Sequence, residues 1–397
     1  MMGSDFKFVH CADLHLGSRF KGVSERDPSA GRRMRESAFE SFGRIVDLVL
    51  SEGADALVIS GDIYDDGNAL PSTRSRFCSE LSRLGDVPVF ICRGNHDSTT
   101  SWDESIPYPD NVHEFGTEPE SMVVDAAGGR FEVVGISFST SHEERNLASM
   151  LSGRPDMFTV ACVHCDVDSV SEGLSYAPCR SQDLVGRGVD YWALGHIHRR
   201  QVLSERPFAV YPGNIQGRSF RETGPKGAYL VTVSSGSVSE LRFVPTQSMM
   251  WHDITVDITG MTLSDAASDI SGRVGKGDLV RITFTGSGSM DGMLRTSPED
   301  AMAELERRSG CRIASWEVST SPDFDVWSMA DGDDLASKVV SVGRGLSSDR
   351  SAVLDRILSN PVLARHRGFF ESLTDEELSK VVEDASRLVV ASMGGSR

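Results

Sequence analysis

Five short segments of this 397-residue chain carry side chains suited to holding divalent metals. They are Asp13-Leu14-His15, Gly61-Asp62, Gly94-Asn95-His96-Asp97, His164, and Gly195-His196-Ile197-His198. Alone, each is commonplace, because Gly, Asn and Asp all favour polar turns. Together they supply imidazoles with carboxyl and amide oxygens, and the joint occurrence outweighs the separate turn readings. Two divalent ions roughly 3.5–4 Å apart use such a mixed set with a bridging carboxylate. Two cations that close repel each other, so the bridge must be a charged oxygen ligand. Asp62 is the natural candidate. The chemistry implied is hydrolysis of a phosphoester by an activated water.

Positioning these groups falls to short apolar runs. Phe6 to Cys11 leads into Asp13, Ala56 to Ser60 into Gly61-Asp62, and Val87 to Cys92 into Gly94-Asn95-His96. Thr159 to Val163 ends at His164, and Asp190 to Leu194 ends at Gly195-His196. Short apolar runs bounded by turn residues are the pattern of fully buried strands. Every candidate ligand therefore sits at the carboxyl end of a strand, where open α/β sheets place their sites. Phe39, Phe42, Ile45, Val46 and Val49 keep helical spacing over residues 39–50, and residues 72–84 form a second expected helix.

The ordered set D-x-H, G-D, G-N-H-D, H and G-H-x-H resembles that of the calcineurin-like metallophosphoesterases. Within that superfamily the chain is similar to the DNA-repair exonuclease branch, the SbcD-type nuclease subunits, and most of all to YhaO-like members. The narrower match rests on Asp13-Leu14-His15-Leu16-Gly17, residues 191–198, Tyr211-Pro212-Gly213-Asn214-Ile215-Gln216-Gly217-Arg218 and Glu222-Thr223-Gly224-Pro225-Lys226-Gly227. It covers residues 5–245 well and only the general layout beyond.

The resemblance implies roles. Asp13, His15, Asp62 and His198 would hold one metal, and Asp62, Asn95, His164 and His196 the other, with Asp62 bridging. The family's usual ion is Mn2+; the oxygen and nitrogen donors themselves admit manganese, iron or zinc. His96 would protonate the leaving oxygen, with Asp97 orienting its ring, since a departing alkoxide needs a proton from an imidazole near its working pKa. The implied fold is α/β: a metallophosphoesterase β-sandwich flanked by helices, a small α/β capping domain and a helical C-terminal segment. Implied partners are DNA and an SMC-like coiled-coil ATPase, with a homodimer also compatible, in a cytoplasmic, nucleoid-associated setting.

Composition bounds the remainder. The start of the chain lacks a basic region followed by an apolar run, so no signal peptide is expected. No stretch of about 18 apolar residues occurs, so no membrane span is expected either. Seven scattered cysteines, with Cys162-Val163-His164-Cys165 as a lone C-x-x-C, read as free thiols of a reducing compartment. A net charge of −18 argues at first against DNA, because basic phosphate contacts dominate that affinity. Two islands depart from it. One runs from Arg19 to Arg35 and includes Arg32 and Arg33; the other runs from Arg199 to Lys226 and includes Arg200, Arg218 and Arg221. Both follow ligand motifs and would form a positive rim that guides a polyanion.

A boundary near residues 245–250 separates a nuclease domain (1–245) from a capping domain (250–322). The latter reads strand, helix, strand, helix, strand, with Gly286 to Ser289 as a flexible loop. Ser297 caps the second helix, Pro298 sits in its first turn, and Gly310 closes it. Residues 335–397 look helical. Thr374 to Glu377 is a capping box, followed by a stripe of Leu378, Val381, Val382, Ala385, Leu388, Val389 and Ser392. That stripe serves either internal packing or ATPase docking.

Three functions compete. The first is a two-metal DNA exonuclease or endonuclease working with an ATPase in DNA repair. The second is a phosphoesterase for another substrate, such as a phosphoprotein or a cyclic nucleotide; basic islands and a separate cap count against it. The third is a non-catalytic scaffold for the ATPase, against which stands the complete ligand set.

Overall fold

A computed structural model of the chain describes residues 5–18, 28–65, 70–98, 106–168, 176–323 and 325–394. The chain divides into two compact units, Met1–Trp251 and His252–Arg397. The first unit begins with β1 (Phe6–Cys11), α1 (Pro28–Glu52), β2 (Ala56–Ser60), α2 (Pro71–Ser82), β3 (Val89–Cys92) and β4 (Val112–Glu114). Then come β5 (Glu120–Ala126), β6 (Gly129–Ile136), β7 (Phe158–His164), β8 (Asp166–Val167), β9 (Pro178–Cys179) and β10 (Tyr191–Gly195). It closes with β11 (Gln201–Glu205), β12 (Phe208–Tyr211), β13 (Gly227–Ser234) and β14 (Ser237–Pro245).

Two six-stranded sheets result, ordered β14-β13-β1-β2-β3-β4 and β11-β12-β10-β7-β6-β5, with β8 and β9 paired apart. Alternation along each strand explains why they stack. Phe6 and Phe8 turn into an inter-sheet core with Val58, Phe90, Phe131, Val160 and Tyr191. Val9 and Cys11 turn the other way, to Phe42, Ile45, Val49, Phe77 and Leu81 of α1 and α2. The central strands are buried on both faces, hence their unbroken apolar runs. Among the described residues, α1 and α2 cover the first sheet. Over the second sheet, Trp192 and Leu194 pack against Leu147, Leu151 and Leu184, which come from loops and 3-10 turns.

β1, β2, β3 and β4 run parallel, as do β6, β7 and β10. The carboxyl ends that lead to the motifs thus gather at one edge of both sheets. All seven cysteines are buried and free. Cys162 faces the inter-sheet core and Cys165 the opposite one, so the C-x-x-C spacing splits across two layers.

Downstream come β15 (Trp251–Asp257), α3 (Leu263–Arg273), β16 (Leu279–Ser287), α4 (Met290–Thr296), α5 (Pro298–Ser309) and β17 (Arg312–Ser321). The sheet β15-β16-β17 packs on these helices through Val256, Ile270, Ile282, Phe284, Leu294 and Leu305. Two local expectations change. Gly286 and Ser287 are not loop but the end of β16, paired with Thr320 and Ser321, and the turn beyond them leads into α4. Ser297 occupies the cap position of α5 without a side-chain bond, so Pro298 and the acidic first turn start that helix. Gly310 ends it in the left-handed region, at φ 75°.

The helical end comprises α6 (Leu335–Ser347), α7 (Arg350–Leu358), α8 (Arg367–Ser372) and α9 (Asp375–Gly394). Its core starts upstream of residue 335, because Val326 and Ala330 pack with Val340 and Val390. The Thr374 box forms, with Glu377 N–H donating to Thr374 Oγ1 at 3.2 Å and Thr374 N–H to Glu377 Oε2 at 2.7 Å. The stripe behind it does not bury as a unit. Leu378, Ser386 and Val390 are covered, while Val381, Leu388 and Val389 are 43, 44 and 40% exposed. A close crossing is the reason: a Cβ on Gly343 would lie 2.3 Å from Ser386 Oγ. Small residues at the crossing make a narrow seam, so the wider apolar arc stays outside. Among the described residues no helix is long and apolar enough to cross a membrane.

Candidate metal centre

The loops after β1, β2, β3, β7 and β10 bring all seven expected ligands together. Donor atoms of Asp13, His15 and His198 lie within 4.8 Å of one another, as do those of Asp13, Asp62 and His164. One carboxylate oxygen, Asp62 Oδ2, faces a histidine of each group, 3.9 Å from His15 Nε2 and 3.5 Å from His164 Nε2. Asn95 Oδ1 lies 3.1 Å from His164 Nε2 and 3.2 Å from His196 Nδ1. Such density needs an unusual backbone. Asp13, His15, Asp62 and His196 all have positive φ, at 53°, 46°, 52° and 109°, a conformation that costs non-glycine residues free energy and collects at functional sites.

Glycines in the motifs make room. A Cβ on Gly61 would lie 2.4 Å from His164 Nδ1, and one on Gly94 would lie 2.3 Å from Asp62 Oδ1. The G-D and G-N-H-D pairings therefore reflect clearance as well as turn chemistry.

The histidines are neutral ligands in waiting. Burial lowers His15 to about 4 and His164 and His196 to about 3. His15 Nδ1 donates to Asp65 Oδ1 at 2.5 Å, and His164 Nδ1 donates to the Ser60 carbonyl at 3.0 Å. Each bond fixes the proton on Nδ1 and leaves the Nε2 lone pair facing the centre, the arrangement that carboxylate-backed metal ligands use. His198 Nδ1 is likewise bound to Glu222 Oε1 at 2.8 Å. Burial alone would lower His198, but the Glu222 bond and Asp13 outweigh it and raise it.

Whether a divalent pair fits can be judged from these contacts. His15 Nε2 and His198 Nε2 are 2.9 Å apart, an approach that two lone pairs tolerate only with a positive charge between them. A cation bound between them would meet that need. Asp13 and Asp97 are both pushed up by burial and by the nearby Asp62, a repulsion that cations would relieve. The donor set fits two divalent ions.

A metallophosphoesterase of Bacillus subtilis (strain 168), YhaO, is 32% identical to the chain over 406 residues, spanning 97% of each protein. The chain belongs to the calcineurin-like metallophosphoesterases. The family profile, calcineurin-like phosphoesterase, matches residues 6–200. The DNA double-strand break repair protein Mre11 of Aeropyrum pernix is 26% identical across 64% of both chains. The SbcD subunit of the nuclease SbcCD of Bacillus subtilis is 26% identical across 55% of this chain and 63% of its own. As a member of this family, the protein is a metal-dependent phosphoester hydrolase whose centre takes divalent ions.

Around the phosphoesterase centre lie the other expected site residues. The His96 ring, like that of His196, belongs to neither three-residue donor group. It packs edge-on against His15 with centroids 5.2 Å apart, is 38% exposed, and its backbone N–H donates to Asp62 Oδ1 at 2.9 Å. Asp97 does not orient that ring. Its carboxylate oxygens accept from Gly94 N at 2.8 Å and Ile63 N at 2.7 Å, pinning the Asn95 loop to the Asp62 loop. Among the described residues, Asp65 is a carboxylate that faces His96, 3.9 Å from Nδ1.

Asp65 and Glu222, which back His15 and His198, have no role that sequence reasoning assigns. Glu222 at least opens the Glu222 to Gly227 motif, whereas nothing local marks Asp65. Tyr176 is equally unmarked; its ring lies 5.4 Å from that of His196. Of the rim arginines, Arg33, Arg199, Arg200 and Arg221 are exposed, and Arg200 sits 3.9 Å over the Phe243 ring. Arg19 and the Arg32 side chain lie outside the described residues. Arg218 is built into the centre instead, with its guanidinium donating to Asp65 Oδ2 at 3.0 Å.

Proposed function

We propose that this phosphoesterase cleaves phosphodiester bonds in DNA as the nuclease partner of an SMC-like coiled-coil ATPase. The observation that carries the reading is the joining of a two-metal donor set to exposed arginines directly after β10, in a chain similar to Mre11 and to SbcD. Asp13, His15, Asp62 and His198 would hold one ion, and Asp62, Asn95, His164 and His196 the other, with manganese the first to try. When bound, such ions supply Lewis-acid stabilisation of phosphoryl oxygens and lower the pKa of water. The chain's own groups do the rest. Asp65, Glu222 and the Ser60 carbonyl fix three imidazoles in one tautomer, and His96, partly exposed beside them, delivers a proton to the leaving oxygen.

The deciding assay uses purified protein with manganese, end-labelled single- and double-stranded DNA, and a chromogenic phosphodiester. DNA turnover supports the reading. Turnover of the small diester alone returns the protein to another phosphoester, which its net charge of −18 would suit.

Arg199 and Arg200 test the rim. Replacing both with Ala should weaken DNA binding and reduce the slope of log affinity against log salt by about 1.8, since each lost phosphate contact removes roughly 0.9. The small diester should be hydrolysed as before. Unaltered DNA affinity would return these residues to solvated loops.

The ATPase would dock on the exposed arc of α9. Val381 and Leu388 are more than two-fifths exposed, so replacing both with Asp should leave the melting temperature unchanged, as surface substitutions usually do within about 0.5 kcal/mol. Co-purification with the ATPase should be lost. Retained co-purification, or early melting, would sink the assignment.

A further inference from the structure

We infer that Arg218 grips the phosphoryl group undergoing hydrolysis, with Asp65 as the brace that aims it. The inference rests on the phosphoester reading of the same centre. Arg218 is fixed at two points. Its guanidinium donates to Asp65 Oδ2 at 3.0 Å, and its backbone N–H donates to Glu222 Oε2 at 2.7 Å. Those two carboxylates are also the ones that hold His15 and His198.

His15 and Ser18 also bond to Asp65. A guanidinium has five N–H donors in a planar fork matched to phosphate oxygens. Among the described residues one side-chain bond, to Asp65, uses that fork, and the side chain remains 26% exposed. Held by the same carboxylates that back His15 and His198, Arg218 has its remaining donors to offer a phosphoryl oxygen bound at the centre. A braced guanidinium at that point stabilises charge as it develops without reorganising.

Arg218 thereby differs from Arg199 and Arg200. Those would serve a long polyanion, whereas Arg218 would serve any phosphoester, however small. The competing role is structural, with Arg218 merely holding Asp65 and hence His15.

Inorganic phosphate, as the product-like oxyanion, separates the two. Calorimetric titration of phosphate into manganese-loaded Arg218→Ala protein should show affinity reduced at least about tenfold, the loss expected for hydrogen bonds to a charged group. A manganese titration of the same variant should still fill two sites. Arg218→Lys should recover part of the phosphate affinity, because it restores charge without the fork, and it serves as the test if the alanine variant folds poorly. Turnover of the chromogenic diester should fall with phosphate affinity. Wild-type phosphate affinity in the alanine variant, or loss of manganese in step with phosphate, would overturn the inference. No arm uses DNA, so failure of the DNA reading leaves this result standing, and failure here leaves that reading untouched.

Discussion

Asp62→Asn is expected to empty the centre of both ions. Its Oδ2 faces His15 and His164 together, and an amide cannot supply the charged oxygen that two close cations require. Affinity at both sites should fall by at least about 100-fold, beyond the upper range for loss of a supporting partner alone. Activity should vanish with the metal. A second consequence separates this from simple misfolding. In the metal-free protein Asp13 and Asp97 are pushed up by burial and further by repulsion from Asp62. Removing its charge should therefore leave the metal-free melting temperature no lower than that of the parent, while the rise on adding manganese, which follows mass action, disappears. Elemental analysis and paired melts measure both. A variant loaded with two ions per chain would refute the bridge, and early melting without metal would make Asp62 a structural residue first.

His96→Ala should behave in the opposite way, keeping the metals and losing the chemistry. The ring is assigned as an acid and not as a ligand, packed edge-on against His15, so two ions per chain should remain. Turnover of DNA should drop by about 10²–10⁴-fold, the usual contribution of a positioned acid. The size of the drop should depend on the leaving group. A sugar alkoxide needs a proton and a nitrophenolate scarcely does, so the chromogenic diester should lose far less than DNA. Equal losses on both substrates would remove the acid role. Loss of half the metal would make His96 a ligand.

Much of this centre is legible before any folding is considered. The runs ending at Cys11, Ser60, Cys92, Val163 and Leu194 are apolar because their strands are buried on both faces, and the ligands follow within a few residues of each. Strand signal and ligand thus share one local window. The same locality makes the Thr374 box and the Gly310 stop readable. The expected Asp97 role fails because sequence adjacency to His96 suggests contact, whereas the turn sends its carboxylate to Gly94 N and Ile63 N. The α9 stripe stays open between packing and docking in the sequence, because periodicity reports which residues are apolar, not how wide a neighbour covers them.

Strands, donor types and donor order are thus written in the chain itself, because each depends on near neighbours in sequence. Which carboxylate backs which imidazole emerges only on folding. His15 meets Asp65 across 50 positions, His198 meets Glu222 across 24, and Arg218 reaches Asp65 across 153. These pairings depend on how loops from two sheets converge at one edge. Hydrogen bonds of a few ångströms reward proximity in space, and separation along the chain carries no record of it.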